Sequence, residues 1–211
     1  MFNNTNSSTN GEEKFYNSIK DNINIIFDVG CRVDSIFTEF DKVVHYFEPN
    51  NTFYTTISNL KNNNSKSYFN NFGLSNTNED IFYYPSYESF LNRTISCSKN
   101  DDANKIMLKV KTASSYIEEH NIENIDFLKI DTEGFELNVL HGFKDHIKKV
   151  KFIQFEYGGT FLDSKVKLLD VVNYLKQFNF INFSYLTPNG FELITDFTDH
   201  YKYCNIVCFN S

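Results

Sequence analysis

The sequence contains no tryptophan, only three prolines, and four cysteines without a CxxC pair. No disulfide framework or zinc ribbon is therefore encoded, and no His, Cys or Asp spacing typical of a metal site occurs. Cys31, Cys97, Cys204 and Cys208 read as reduced thiols of a cytoplasmic protein. No stretch approaches the ~18 consecutive apolar residues of a membrane span. The polar start, Met1 to Glu13, is unlike a secretory leader. Positive charge is also scarce: 20 Lys and Arg stand against 27 Asp and Glu, a net charge of −7. That balance argues against a nucleic-acid groove and leaves small molecules and glycans as partners. A GxGxxG run is missing too, which weighs against a nicotinamide-dependent oxidoreductase.

What is present is ample core material. Of 211 residues, 41% are hydrophobic, with 23 Phe and 13 Tyr, enough for one full-sized domain. Residues 1–12, rich in Asn, Ser and Thr, read as a disordered tail, and 13–211 as a single domain. Strand candidates then alternate with helices, the pattern of a doubly wound α/β sheet. Strands are expected at 23–29, 43–47, 67–72, 125–130, 150–157, 180–186, 191–195 and 203–209. Helices are expected at 34–40, 50–60, 113–120, from Gly134, and at 164–178. Shorter strands at 81–84 and 106–111 suit an excursion outside the main sheet, and Ser96 to Asn104 a surface loop.

The richest stretch is IDFLKIDTEGFELNVLHG, Ile125 to Gly142. Its apolar run barely alternates, as in a parallel strand covered on both faces. It stops on Asp131, Thr132 and Glu133 at the carboxyl end of the strand, where open α/β sheets bind ligands. Local pattern leaves two roles open for these acids, helix capping or chemistry. Lys129, inside the strand, requires a buried acid partner, and Glu156 closes the next strand at the same crevice. Upstream, Asp28-Val29-Gly30 ends a strand, and Glu48 follows about twenty residues past the Gly, the spacing of an acid that takes ribose hydroxyls. His45 reads as core and His141 as a helix C-terminal dipole partner.

LKIDTEGFELNVLHG resembles the signature segment of the FkbM-type methyltransferases, through Lys129, Ile130, Asp131, Glu133, Gly134, Glu136, Leu140 and Gly142. "FEP" at Phe47 to Pro49 matches the family as well. The resemblance implies a class I, Rossmann-like methyltransferase fold: a mostly parallel seven-stranded sheet, helices on both faces, and an antiparallel edge strand. It implies S-adenosyl-L-methionine as cofactor and methylation of a hydroxyl on a small molecule or glycan. Cofactor contacts would come from Asp28, Gly30, Cys31, Arg32, Asp34, Ser35, Glu48, Pro49, Asn71, Phe72 and Gly73. Asp131, Glu133, Lys129 and Glu156 would serve the reacting end, with no metal. The first loop departs from the family's Asp-x-Gly-Ala-Asn-x-Gly, since Arg32 replaces Asn and Asp34 replaces the second Gly. A catalytically inactive nucleoside- or protein-binding domain is the alternative that departure raises.

Overall fold

The computed structural model describes residues 2–60 and 66–210. Its main sheet has eight strands: β1 (Ile25–Val29), β2 (Val43–Phe47), β3 (Ser67–Asn70), β7 (Ile125–Ile130), β8 (Val150–Tyr157), β9 (Phe180–Thr187), β10 (Gly190–Leu193) and β11 (Cys204–Asn210). Their order is β10-β9-β11-β8-β7-β1-β2-β3. The run from β3 to β8 is parallel, and β11 is antiparallel to both β8 and β9. The family resemblance implies seven strands; the eighth is β10, the strand expected at 191–195, which turns back on β9 after Pro188-Asn189 and forms the edge.

Side chains alternate across this sheet with period two, so each strand feeds two cores. Ile26, Val44 and Phe127 face Phe15 and Tyr16 of α2 (Glu12–Ile19) and Ile57 of α3 (Asn51–Leu60). Phe27, Leu128 and Ile153 face the other core. That core is built from α4 (Ala113–Glu119), α5 (Glu136–Phe143) and α7 (Leu168–Lys176). Toward the strands' carboxyl ends the α2 side turns polar. Asp28, Lys129, Gln154 and Asn205 are all buried there, with Asp28 level with Lys129 and Lys129 level with Gln154.

The excursion lies outside the main sheet, as expected. β4 (Gly73–Ser75), β5 (Glu79–Tyr83) and β6 (Ile106–Thr112) form a separate sheet ordered β4-β6-β5. Thr112 caps α4 by accepting from the Ser115 N–H. His45 is core: its Nδ1 lies 2.8 Å from the Tyr116 hydroxyl, and burial lowers its pKa to about 3.

Four local expectations need correction. The tail is ordered where described: α1 (Ser7–Asn10) precedes α2, Asn10 and Glu12 are buried, and the Asn3 N–H donates to the Tyr203 carbonyl at 2.9 Å. Met1 lies outside the described residues. Residues 34–40 form turns, because Ser35 spends its hydroxyl on Asp28 at 2.5 Å and accepts from the Phe37 N–H at 3.2 Å, bonds that compete with helix. The helix expected at 164–178 is α7 alone, starting at Leu168; a separate short helix, α6 (Thr160–Ser164), ends before it where Lys165 takes φ +57°. Finally, α5 begins at Glu136, two residues beyond Gly134, and His141 near its end has its pKa lowered by burial, which disfavours a cationic dipole partner.

Gly142 is the point where α5 presses on β4. A Cβ there would lie 2.0 Å from the Ser75 carbonyl oxygen, so no side chain fits. Gly142→Ala should cost about 3 kcal/mol by overpacking, lowering Tm by about 6–12 °C for a domain of this size. An unchanged Tm in a thermal scan would show that this contact is not close.

Candidate active site

A cavity of about 620 Å³ opens at the carboxyl ends of β1, β2, β7 and β8. It is walled by the loops that follow those strands, by residues 88–97 after β5, and by the N-terminal segment. Gly30, Cys31, Arg32, Asp34, Ser35, Glu48, Pro49, Gly73, Lys129, Asp131, Glu133 and Glu156 all line it. Three expected residues do not. Asp28 is fully buried behind the wall; Asn71 hydrogen-bonds Asn51; Phe72 packs on Phe47 and Tyr116. Phe47, Phe53, Leu74, Tyr83 and Phe90 supply apolar wall instead.

At one end the backbone folds tightly around a carboxylate. Gly30 takes φ +79°, and a Cβ on it would lie 1.9 Å from the Asp131 carbonyl oxygen, so only glycine lets the β1 and β7 loops meet. Arg32 follows in the left-handed region, φ +47°, and its N–H donates to Glu48 Oε2 at 3.0 Å. The Asn50 N–H donates to Glu48 Oε1 at 2.8 Å. Both oxygens are thus oriented by backbone and each retains a lone pair. Burial pushes the Glu48 pKa up to about 7, against the pull of these two N–H groups. The Arg32 guanidinium turns outward, to Glu88 at 3.0 Å and the Phe53 ring at 5.4 Å.

At the other end three carboxylates converge: Asp131, Glu133 and Glu156 have oxygens within 4.8 Å of one another, close enough to hold a cation. Protein groups already neutralise them. Lys129 Nζ lies 3.1 Å from Asp131 Oδ2, and Arg93 pairs with Glu133. Burial alone would raise the Asp131 pKa, but Lys129 and a hydrogen bond from Glu156 outweigh it, and the net shift is downward. Burial and the Asp131 charge push Glu156 well above the ordinary range. The two shifts run in opposite directions, so of the two carboxyls Glu156 holds a proton the more tightly. Burial also raises Glu133, opposed by Arg93.

The start of α5 carries no side-chain cap, from Asp131, Glu133 or any other residue, and Glu136 braces the loop before it. Glu136 Oε1 accepts from the Thr132 N–H and hydroxyl, both at 3.0 Å, and from the Gly134 N–H at 3.2 Å. Asp131 and Glu133 are left for the cavity, Glu133 with φ +56°.

Sequence reasoning missed Arg93, Glu88 and Glu12. Arg93 and Glu88 sit in the segment after β5, where nothing in the local pattern signals a site. Glu12 fell in the supposed tail. The one available signal was Lys129 itself, a buried cation with more acid near it than its own loop supplies.

The sequence profile of the Methyltransferase FkbM domain matches residues 28–181. No curated protein matches the sequence. A candidate rRNA-methylase from Clostridium thermocellum superposes with a TM-score of 0.53 at 10% identity, over 96% of this chain and 98% of that one. A candidate methyltransferase from Streptococcus mutans, solved in complex with SAH, gives 0.52 at 10% identity, over 95% and 98%. At these identities the likeness establishes the class I methyltransferase fold alone.

The Arg93–Glu133 pair is partly exposed, so its coupling should be modest, about 1–2 kcal/mol. A double-mutant cycle of Arg93→Met and Glu133→Gln, read by urea unfolding, should return that value. Strict additivity would mean that the two side chains do not interact.

Proposed function

We propose, for a chain that belongs to the FkbM methyltransferase family and is thereby an S-adenosylmethionine-dependent methyltransferase, that it methylates a hydroxyl on a small molecule or glycan. The observation that carries this reading is one cavity with a backbone-anchored carboxylate at one end and a charge-balanced acid cluster at the other. A volume of about 620 Å³ suits a nucleoside cofactor and part of an acceptor.

The residues present fit the cofactor. Glu48 would accept from the two ribose hydroxyls through its remaining lone pairs. Gly73 and Leu74, with Phe47 and Tyr83, would border the base in place of Asn71 and Phe72. Gly30, Cys31, Arg32, Asp34 and Ser35 would border the methionine end. The left-handed Arg32 keeps that loop's backbone open to the cavity despite the lost second glycine, which favours a working site over an inactive one. When bound, S-adenosylmethionine supplies an electrophilic methyl group on a sulfonium.

Asp131 is the base of this reading. Lys129 keeps it ionised, so it can accept the acceptor hydroxyl's proton as the oxygen takes the methyl group. Glu156, the carboxyl more readily protonated, holds the other side of the Asp131 carboxylate. Glu133, steered by Arg93, would bind a neighbouring hydroxyl. A wall this rich in carboxylates repels phosphate and favours neutral, hydroxyl-bearing acceptors.

Two measurements test the reading. Ribose hydroxyls need the ionised form of Glu48, whose folded pKa is about 7 against an ordinary 4.5. Calorimetric affinity for S-adenosylhomocysteine should therefore level off above pH 7 and weaken by up to about tenfold per pH unit below it. Glu48→Gln should bind more weakly and lose this dependence; an unchanged profile removes Glu48 from the site, and no binding at high micromolar ligand overturns the cofactor reading. On a panel of hydroxylated acceptors, Asp131→Asn should lower kcat by about 10²–10⁴-fold in protein that still folds, at a Tm reduced by the loss of the nearest carboxylate of Lys129. Collapse of the fold without a separable loss of turnover would make Asp131 structural.

A further inference from the structure

The family match begins at residue 28, yet the reacting end takes a side chain from before it. Glu12, the first residue of α2, is 6% exposed and lines the cavity. Its position is tightly specified. Gly11 before it takes φ +103°, and a Cβ there would lie 2.5 Å from the Thr187 carbonyl oxygen, so the turn into α2 rests directly on the β9 backbone. Asn10 Oδ1 accepts from the Glu12 N–H at 2.9 Å. Asn205 Nδ2, on β11, donates to Glu12 Oε2 at 3.0 Å. The remaining oxygen, Oε1, lies 3.9 Å from Lys129 Nζ.

Lys129 is 9% exposed and has two carboxylates from segments far apart in sequence near its ammonium, Asp131 at 3.1 Å and Glu12 at 3.9 Å. Asp28, level with it on β1, is the third acid of the surroundings. A buried ammonium with alternatives moves toward whatever carboxylate is left. Without Glu12 it would be drawn toward Asp28 and Asp131 alone, and the Asp131 carboxylate would shift with it.

We propose that Glu12 is a positioning residue of the methyl-transfer site: it holds the Lys129 ammonium from the α2 side, so that Lys129 presents the Asp131 carboxylate to the cavity. Its effect on turnover rests on the function proposed above, whereas its hold on Lys129 does not.

Glu12→Gln is the informative variant, because the amide oxygen can still accept from Asn205 while the charge is lost. In the ligand-free full chain, a ¹H–¹⁵N spectrum of lysine ammonium groups should show a Lys129 signal protected from exchange, assigned by its loss in Lys129→Met. Glu12→Gln should shift that signal or lose it to exchange. With S-adenosylmethionine and an acceptor turned over by the wild-type protein, kcat should fall about tenfold to a hundredfold, while KM for S-adenosylmethionine stays within about twofold. Asn205→Ser, which releases Glu12 but keeps its charge, provides the same readings should Glu12→Gln not fold. An unchanged Lys129 signal in the variants, or a loss confined to KM, overturns the proposal. If the wild-type protein turns over no acceptor, the spectrum alone decides whether Glu12 holds Lys129, and it is the function reading that falls.

Discussion

A buried ammonium is the constraint on which this site depends. Lys129 occupies the interior of a strand covered on both faces, where an uncompensated charge would cost several kcal/mol. Its own pKa is driven well above the ordinary value: burial would lower it, but Asp131, Glu12 and Asp28 together outweigh burial. Compensation must come from elements that meet at that point, and so the ends of β1 and β7 and the start of α2 are drawn together around one cation.

The consequence is a polar layer inside an otherwise apolar fold. On the α2 side, Asp28, Lys129, Gln154 and Asn205 replace the hydrophobic residues that the rest of the sheet presents. Above that layer the cavity wall holds three non-glycine residues in the left-handed region, Arg32, Glu88 and Glu133. Each such residue costs about 1 kcal/mol or more. Arg32 and Glu88 are tied to each other, the Arg32 N–H to Glu48, and Glu133 to Arg93. Strain and charge are thus concentrated where the strands end, while both cores stay conventional. The separate sheet β4-β6-β5 contributes by carrying residues 88–97 over the strand ends, which brings the one guanidinium paired to Glu133.

Much of this was legible from residues alone, for a local reason. Period-two and near-continuous apolar runs reveal strands, and the residues closing a parallel strand fall at the crevice whatever the details. Gly30, Glu48, Asp131, Glu133 and Glu156 were placed that way, and all line the cavity. The failures share another cause. Asp28 ends the same strand as Gly30 but points behind the wall, because pleat and register decide on which side a side chain emerges. Phe72 was expected near the base and is instead held by Phe47 and Tyr116, an aromatic cluster that no linear pattern encodes. The helix expected at 34–40 lost to the Ser35 hydroxyl, which accepts from the Phe37 N–H and donates to Asp28, a residue that only the fold brings near.

The sequence by itself determined the doubly wound plan, the family, and the acids at the strand ends, since each is written in neighbouring residues whose spacing sets strand, turn and helix. Only the tertiary structure decided how those acids are charged. That Lys129 is shared by Asp131 and Glu12, and that Glu156 is pushed toward its neutral form beside Asp131, follow from which distant side chains share a low-dielectric space. Composition made the first twelve residues read as a tail. Burial of one carboxylate against one ammonium made them part of the site.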